Sequence, residues 1–385
     1  GWVFHQNTDL WRVAAPMDGP SWGTFTVGGA WLCTHLWEHY LYTRDKEFLK
    51  ESLPLIEGSI RFFLDFLIPH PNGKWLVTNP STSPENFPNG GGNRPFFDQV
   101  TGAILSGTTI CAGSSIDMQI LYDLFGYYLE ACKVLGTRSP LQGQVEQARA
   151  RLVPPQIGAD GALQEWADGS KSLEENHRHF SHLMAIYPLG LFDPDNGEAD
   201  ARVVHASLAE LARLGTSLWC GYSFGWEAHL AARAGDGDRA AKALQTFAKA
   251  FVLRNGFHAN GDQSGTGISK FTYRPFTLEG NFAFAAGLHE MLLQSNTGVI
   301  EVFPGVPTSW GDVSFEKLRA QGAVLVSATR AEGSVAEVSL QAEHETIVRV
   351  RSPWSGAVLE LALPANQEMR LINDRLEPAV GKLPQ

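Results

Sequence analysis

The chain has 385 residues, 44% hydrophobic and 18% charged. That composition supplies buried cores for about two or three domains and excludes disorder as the main state. Forty-one acidic against 30 basic residues leave a net charge of −11, which supplies no basic stripe of the kind a nucleic-acid partner demands and disfavours that partner class. No apolar run approaches the roughly 18 residues of a membrane span, so no membrane partner is expected. The opening Gly1-Trp2-Val3-Phe4-His5 is neither a secretory nor a transit signal and suggests a processed chain or a piece of a longer one.

Helical periodicity dominates from residue 28 to about 295. In 28–42, Trp31, Leu32, His35, Leu36, Trp37, Tyr40 and Leu41 share one broad face. Asp45 is placed to cap a second helix, on which Phe48, Leu49, Leu53, Ile56, Ile60, Phe63 and Leu67 recur before Pro69 and Pro71 end it. Further helices are predicted over 115–135, 140–152, 199–214, 222–234, 239–253 and 281–294. Long loops over 78–107, 165–181 and 255–279 separate them, and loops of that length in a compact domain are usually functional. No internal repeat is present. Beyond about 298 the pattern changes to β-branched alternation over 299–303, 324–329, 335–341, 347–350 and 358–363, which predicts a small antiparallel β domain. The predicted domains are 1–297 and 298–385.

Several motifs compete for attention. His35-Leu36-Trp37-Glu38-His39 fits the inverted zinc-peptidase pattern, in which two imidazoles one helical turn apart hold zinc. No acidic third ligand stands out downstream, and the same residues read equally well as local hydrogen-bonding groups. Gly19-Pro20-Ser21-Trp22-Gly23 fits a nucleophile elbow but lacks the preceding strand. Gly90-Gly91-Gly92 lacks the Lys-Ser/Thr of a phosphate cradle. Cys33, Cys111, Cys132 and Cys220 are widely spaced, without a C-x-x-C pair, and predict neither a disulfide scaffold nor a zinc site. The 11 Trp, 22 Phe and 8 Tyr suit the apolar faces of sugar rings, although a large core also consumes aromatics. His177-Arg178-His179-Phe180-Ser181-His182 reads either as donors aimed at a polyhydroxylated ligand or as a structural histidine cluster.

Three scattered segments place carboxylates beside amides in polar sequence: His5-Gln6-Asn7-Thr8-Asp9-Leu10-Trp11, Ser83-Pro84-Glu85-Asn86 and Thr277-Leu278-Glu279-Gly280-Asn281. Each carboxylate alone reads as a cap or a solvated loop residue. Together they suit glycoside hydrolysis, which needs one protonated carboxyl on the leaving oxygen and a second group to activate water or attack carbon.

With these segments, and with Gly28–Tyr40, Thr78–Asn86, Leu163-Gln164-Glu165-Trp166, His177–Leu183, Leu278–Phe282 and Glu290–Ser295, the chain resembles the C-terminal half of glycoside hydrolase family 95, the inverting α-L-fucosidases and related α-L-galactosidases. The resemblance implies a mainly α fold: an (α/α)6 barrel, incomplete at its N-terminus, followed by a small antiparallel β domain. About eight or nine helices are counted against the twelve of a closed barrel, so a β domain, a linker and the first helices are expected upstream of Gly1, and an isolated 1–385 chain would be open along one side. The family's general acid falls on Glu85, its water-positioning pair on Asn7 and Asp9, and its polarising acid on Glu279. His5, Trp31, His35, Arg178 and His179 fall on sugar-binding positions. No metal and no cofactor are implied.

The implied activity is inverting removal of terminal α-L-fucosyl groups from fucosylated or galactosylated oligosaccharides. The alternatives are an α-L-galactosidase of the same family or a catalytically silent carbohydrate-binding relative. An extracellular location is implied by the resemblance alone. The family commonly carries Asp where this chain has Glu279, and Gly where it has Ala283. One methylene displaces a carboxylate by about 1 Å, enough to matter in catalysis. Either the pocket is rebuilt around Glu279 or Asp9 carries more of the base role.

Overall fold

The computed structural model describes residues 1–5, 11–13, 23–88 and 110–379, and the backbone alone of 95–97 and 104–106. These pack as two units. One comprises 1–40, 45–192 and 202–216, and the other 41–44, 193–201 and 217–385.

In the first unit, helix α1 (Gly28–Thr43) buries Ala30, Cys33, Trp37 and Tyr40. Helix α2 (Lys46–Phe66) begins where Asp45 accepts the Phe48 amide at 2.9 Å, the predicted cap. Its buried Leu49, Leu53, Ile56, Ile60 and Phe63 recur every three or four residues, the spacing of one helical face. A hairpin of β1 (Leu67–Pro69) and β2 (Leu76–Thr78) follows, where the sequence predicted only a helix end. The backbone of β3 (Pro95–Phe97) and β4 (Ile104–Ser106) forms another hairpin. Helix α3 (Ser115–Leu135) is enclosed by its neighbours, with Ile120, Leu121, Leu124, Phe125, Tyr128 and Cys132 inaccessible. It stops at Gly136, whose φ of 63° is the left-handed conformation that glycine adopts without penalty. Trp37 stacks on Tyr127 at 5.8 Å, and the Tyr128 hydroxyl donates to Glu57 at 2.9 Å, so α3 is tied to both preceding helices. Helices α4 (Leu141–Arg149) and α5 (Glu198–Leu214) follow.

The second unit contains α6 (Gly221–Arg233), α7 (Gly237–Ala250) and α8 (Leu278–Leu292). Small residues let them approach closely: a Cβ on Gly225 would stand 2.8 Å from that of Ala283. The Ala283 methyl is therefore received by a glycine. The helices lead into two sheets. One is five-stranded, in the order β13 (Arg375–Pro378), β12 (Glu368–Ile372), β9 (Ser334–Ala342), β8 (Val324–Ala331) and β7 (Val313–Ala320), and is antiparallel throughout. The other runs β11 (Val358–Leu363), β10 (Thr346–Arg351), β6 (Val299–Val302) and β5 (Leu293–Gln294). Alternate residues such as Val324, Val326, Val338, Leu340, Val348, Val350 and Leu371 point into one core.

The antiparallel β domain expected from the sequence is present, with one parallel pair within it. β6 and β10 are parallel, with Val299 opposite Arg349 and Ile300 opposite Val350. Strands β5, β7, β12 and β13 were not predicted, and β5 takes the last two residues of the helix predicted over 281–294, which ends at Leu292. β7 hides its alternation behind a bulge between Phe315 and Leu318, where Lys317 takes a φ of 52°.

Candidate active site

The segment after β2 is held from below by α3. Thr78 and Ser81 donate their hydroxyls to Asp117 at 2.7 and 2.8 Å, and Ser81 exchanges backbone bonds with Cys111 at 2.9 and 2.8 Å. Asp117 is fully buried; desolvation pushes its pKa up to about 6 against the pull of the Thr78, Ser81 and Ser114 hydroxyls. The segment then makes a tight turn, Ser83-Pro84-Glu85-Asn86, closed by the Asn86 amide on the Ser83 carbonyl at 2.9 Å. Glu85 stands at the corner of that turn with 25% of its side chain exposed.

The loop predicted to be functional over 165–181 supplies the other wall. Arg178 donates to Glu85 through Nη2, and its Nη1 lies 3.2 Å from His177 Nε2. His179 places Nε2 3.7 Å from Glu85 and Nδ1 3.0 Å from the Pro84 carbonyl. Burial, reinforced by the Arg178 charge, pushes the His179 pKa down to about 4. The ring is therefore neutral near pH 7, and because a carbonyl only accepts, its proton sits on Nδ1. That leaves the Nε2 lone pair facing the Glu85 carboxyl. Desolvation first, and then the neighbouring His179 and Arg178, hold His177 well below the usual range. Gln119 of α3 anchors the end of this loop, donating to the His182 carbonyl and accepting the Ala185 amide, both at 2.9 Å.

One residue of this centre carried no role in the sequence reading. Glu165 is buried among Ser83, Asn86 and Ser172, and accepts from all three. Desolvation raises its pKa and those three donors lower it. The sequence signal was its place in a quoted motif at the start of a long loop, and nothing local revealed its partners.

The structure thus brings together Glu85, Arg178 and His179. Asn7 and Asp9 lie outside the described residues, as do Gly19–Trp22 of the nucleophile-elbow pattern and Gly90–Gly92. His5 lies on the segment that crosses α1 and α2, where the Trp2 indole donates to the Leu55 carbonyl at 3.0 Å and the Gly29 amide to Phe4 at 3.3 Å. Its Nδ1 is sealed from solvent with no hydrogen-bond partner among the described residues. Trp31 is half-buried and His35 exposed, one turn apart on α1. Glu279 belongs to the second unit, exposed in the first turn of α8 and within electrostatic reach of Tyr222 and His258.

The zinc-peptidase residues His35, Glu38 and His39 are all exposed on α1, and the His39 ring packs on Phe48 at 3.9 Å. Among the described residues, Glu85, His177 and His179 bring three ligand-type atoms within 4.8 Å. They do not suit a cation: the Arg178 guanidinium already lies against both Glu85 and His177. The four cysteines are free thiols, as expected from their spacing.

The glycosyl hydrolase family 95 catalytic domain matches residues 1–292 of this chain, and the glycoside hydrolase family 95 C-terminal domain matches 294–371. The chain belongs to glycoside hydrolase family 95. It is 36% identical over 366 residues to alpha-L-fucosidase 2 of Arabidopsis thaliana, covering 94% of this chain and 41% of that protein. It is 24% identical over 346 residues to probable alpha-fucosidase A of Aspergillus niger, covering 85% of this chain and 40% of that one. The family 95 chain described here therefore spans about two fifths of the length of these curated relatives. Among solved structures, a putative kojibiose phosphorylase from human microbiome superposes with a TM-score of 0.54 at 9% identity, over 92% of this chain and 50% of its own. That likeness is one of fold.

Proposed function

We propose that the protein containing this chain is an inverting glycoside hydrolase that removes terminal α-L-fucosyl groups, with Glu85 as general acid. Its helices are read as part of an (α/α)6 barrel, and its action as extracellular. The observation that carries the proposal is the Glu85 carboxyl on a braced turn, with Arg178 and His179 against it. The family membership and the α-L-fucosidase similarity support the same reading.

Arg178 donates to Glu85 Oε2. With Arg178 on Oε2, the transferable proton belongs on Oε1, and the guanidinium fixes the direction of the carboxyl. Glu85, once protonated, faces a neutral His179 lone pair instead of a second cation. It then passes its proton to the leaving glycosidic oxygen. Asn7 and Asp9 position the attacking water and Glu279 polarises it; an inverting pair stands roughly 6.5–9.5 Å apart to leave room for that water. His5, Trp31 and His35 contribute to sugar binding. L-Galactose differs from L-fucose by one hydroxyl, and a paired assay on both α-L-glycosides decides between them.

The test is Glu85→Gln in the complete protein, assayed on a 2′-fucosylated oligosaccharide. Loss of the general acid is expected to lower kcat by about 100- to 10,000-fold. EDTA is expected to change nothing. Wild-type turnover by the variant would remove Glu85 from the acid role, and inactivation by EDTA would return the Glu85–His177–His179 cluster to a metal.

A further inference from the structure

The Glu85 turn is short, polar and partly exposed, so something must fix its direction. Ser83 and Asn86, the residues that close the turn on either side of Glu85, point their side chains inward to the same group. Ser83 donates to Glu165 Oε1 at 2.6 Å, and Asn86 donates to Oε2 at 3.0 Å. Ser172 donates to Oε2 as well, and itself receives the Trp166 indole proton at 3.0 Å. Both carboxylate oxygens of Glu165 are therefore occupied, in a site with almost no solvent access.

The same network continues into the wall that carries Arg178 and His179. The Asn86 amide pairs with the Glu174 backbone in both directions, donating to its carbonyl at 3.1 Å and accepting its N–H at 3.3 Å. Leu173 donates to the Phe87 carbonyl at 2.7 Å, and Pro88 bridges to Ser172. Three residues beyond Glu174 the chain reaches His177, and then the two side chains that hold Glu85. The backbone of Glu165 is fixed in its turn, since its carbonyl accepts the Ser115 amide at 3.0 Å, at the start of α3. One buried carboxylate thus closes a ring whose rim bears Glu85 on one side and Arg178 and His179 on the other.

We infer that Glu165 is a positioning residue: it acts through Ser83, Asn86 and Ser172 to aim the Glu85 carboxyl and to hold the Arg178–His179 segment against it. The inference rests on the reading of Glu85 as the acid. A carboxylate suits the task because all three of its neighbours present donors, and an ionised acceptor makes stronger bonds to them than a neutral one. Glutamine keeps the shape but turns an N–H₂ toward donors.

The experiment uses the complete protein and two substrates, a 2′-fucosylated oligosaccharide and a dinitrophenyl α-L-fucoside, whose leaving group departs without a proton. Glu165→Gln is expected to lower kcat on the oligosaccharide by about 10- to 100-fold, the effect of displacing a catalytic group by about 1 Å. KM should stay within about threefold, because uniform binding is untouched. On the dinitrophenyl substrate most of that loss should vanish. Ser83→Ala removes a single donor and is expected to show the same leaving-group pattern in smaller measure, which keeps the test open should Glu165→Gln fold poorly. Equal losses on both substrates, or a wild-type kcat, would overturn the positioning role. Glu85→Gln, run in parallel, separates the two failures: if it too is unimpaired on the oligosaccharide, the acid assignment has failed, and if it is silent the positioning inference alone has.

Discussion

Asp117 is buried and takes the Thr78 and Ser81 hydroxyls on Oδ2, and its burial sets a sign for the pH dependence of stability. Its folded pKa is raised from 3.8 to about 6, so the folded protein holds a proton in that window which the unfolded chain releases. The stability it contributes is full below about pH 3.8 and lost as pH rises through about 6. A shift of about 2 units corresponds to roughly 3 kcal/mol. Asp117→Asn cannot titrate, so urea denaturation at pH 4 and pH 7 should show the wild type losing up to about 3 kcal/mol more than the variant across that interval. An unchanged difference would remove Asp117 from the account. The neutral histidines act in the opposite direction: His179, depressed to about 4, contributes stability above pH 6.5 that is lost toward pH 4. At this scale the sequence was legible for Glu85, Arg178 and His179, whose motifs the fold brings together. Glu165 and Asp117 were not, because the bonds that tie them to the segment around Glu85, Ser81 to Asp117 and Ser83 to Glu165, span 36 and 82 residues along the chain.

Helices were legible wherever an apolar stripe met a defined end. The interval 115–135 is helical as predicted, Asp45 caps α2, and α6 begins and ends one residue before its predicted limits. The hairpin β1–β2 escaped because its strands have three residues each, too few to display alternation. Glycines, uninformative by pattern, prove decisive for helix packing in the second unit. A Cβ on Gly221 would meet His258 Nε2 at 2.0 Å and Phe251 Cβ at 2.8 Å. His258 cannot retreat: Thr277 holds Nδ1, Asn281 accepts its amide at 2.9 Å, and Phe247 stacks on the ring at 5.0 Å. Gly221→Ala is therefore expected to destabilise by about 1–3 kcal/mol, the cost of overpacking a filled site, read as a lowered Tm. A variant as stable as the wild type would show that this contact can relax.

For the molecule as a whole, the order of a helical segment followed by a β domain was legible because the hydrophobic period changes near residue 298. Strand pairing was not, since nothing in the alternation of 299–302 and 346–351 says that these strands run parallel. A neutral, polyhydroxylated ligand, as proposed, suits a centre of mixed carboxylate, guanidinium and imidazole groups. The central claim is that Glu85 and a water on the opposite face of the sugar act together in a single displacement. Proton NMR of the first sugar released from a 2′-fucosylated oligosaccharide by the complete protein tests it most directly. The account predicts β-L-fucose as the initial anomer, appearing before mutarotation; α-L-fucose appearing first, or no release of fucose, would contradict it.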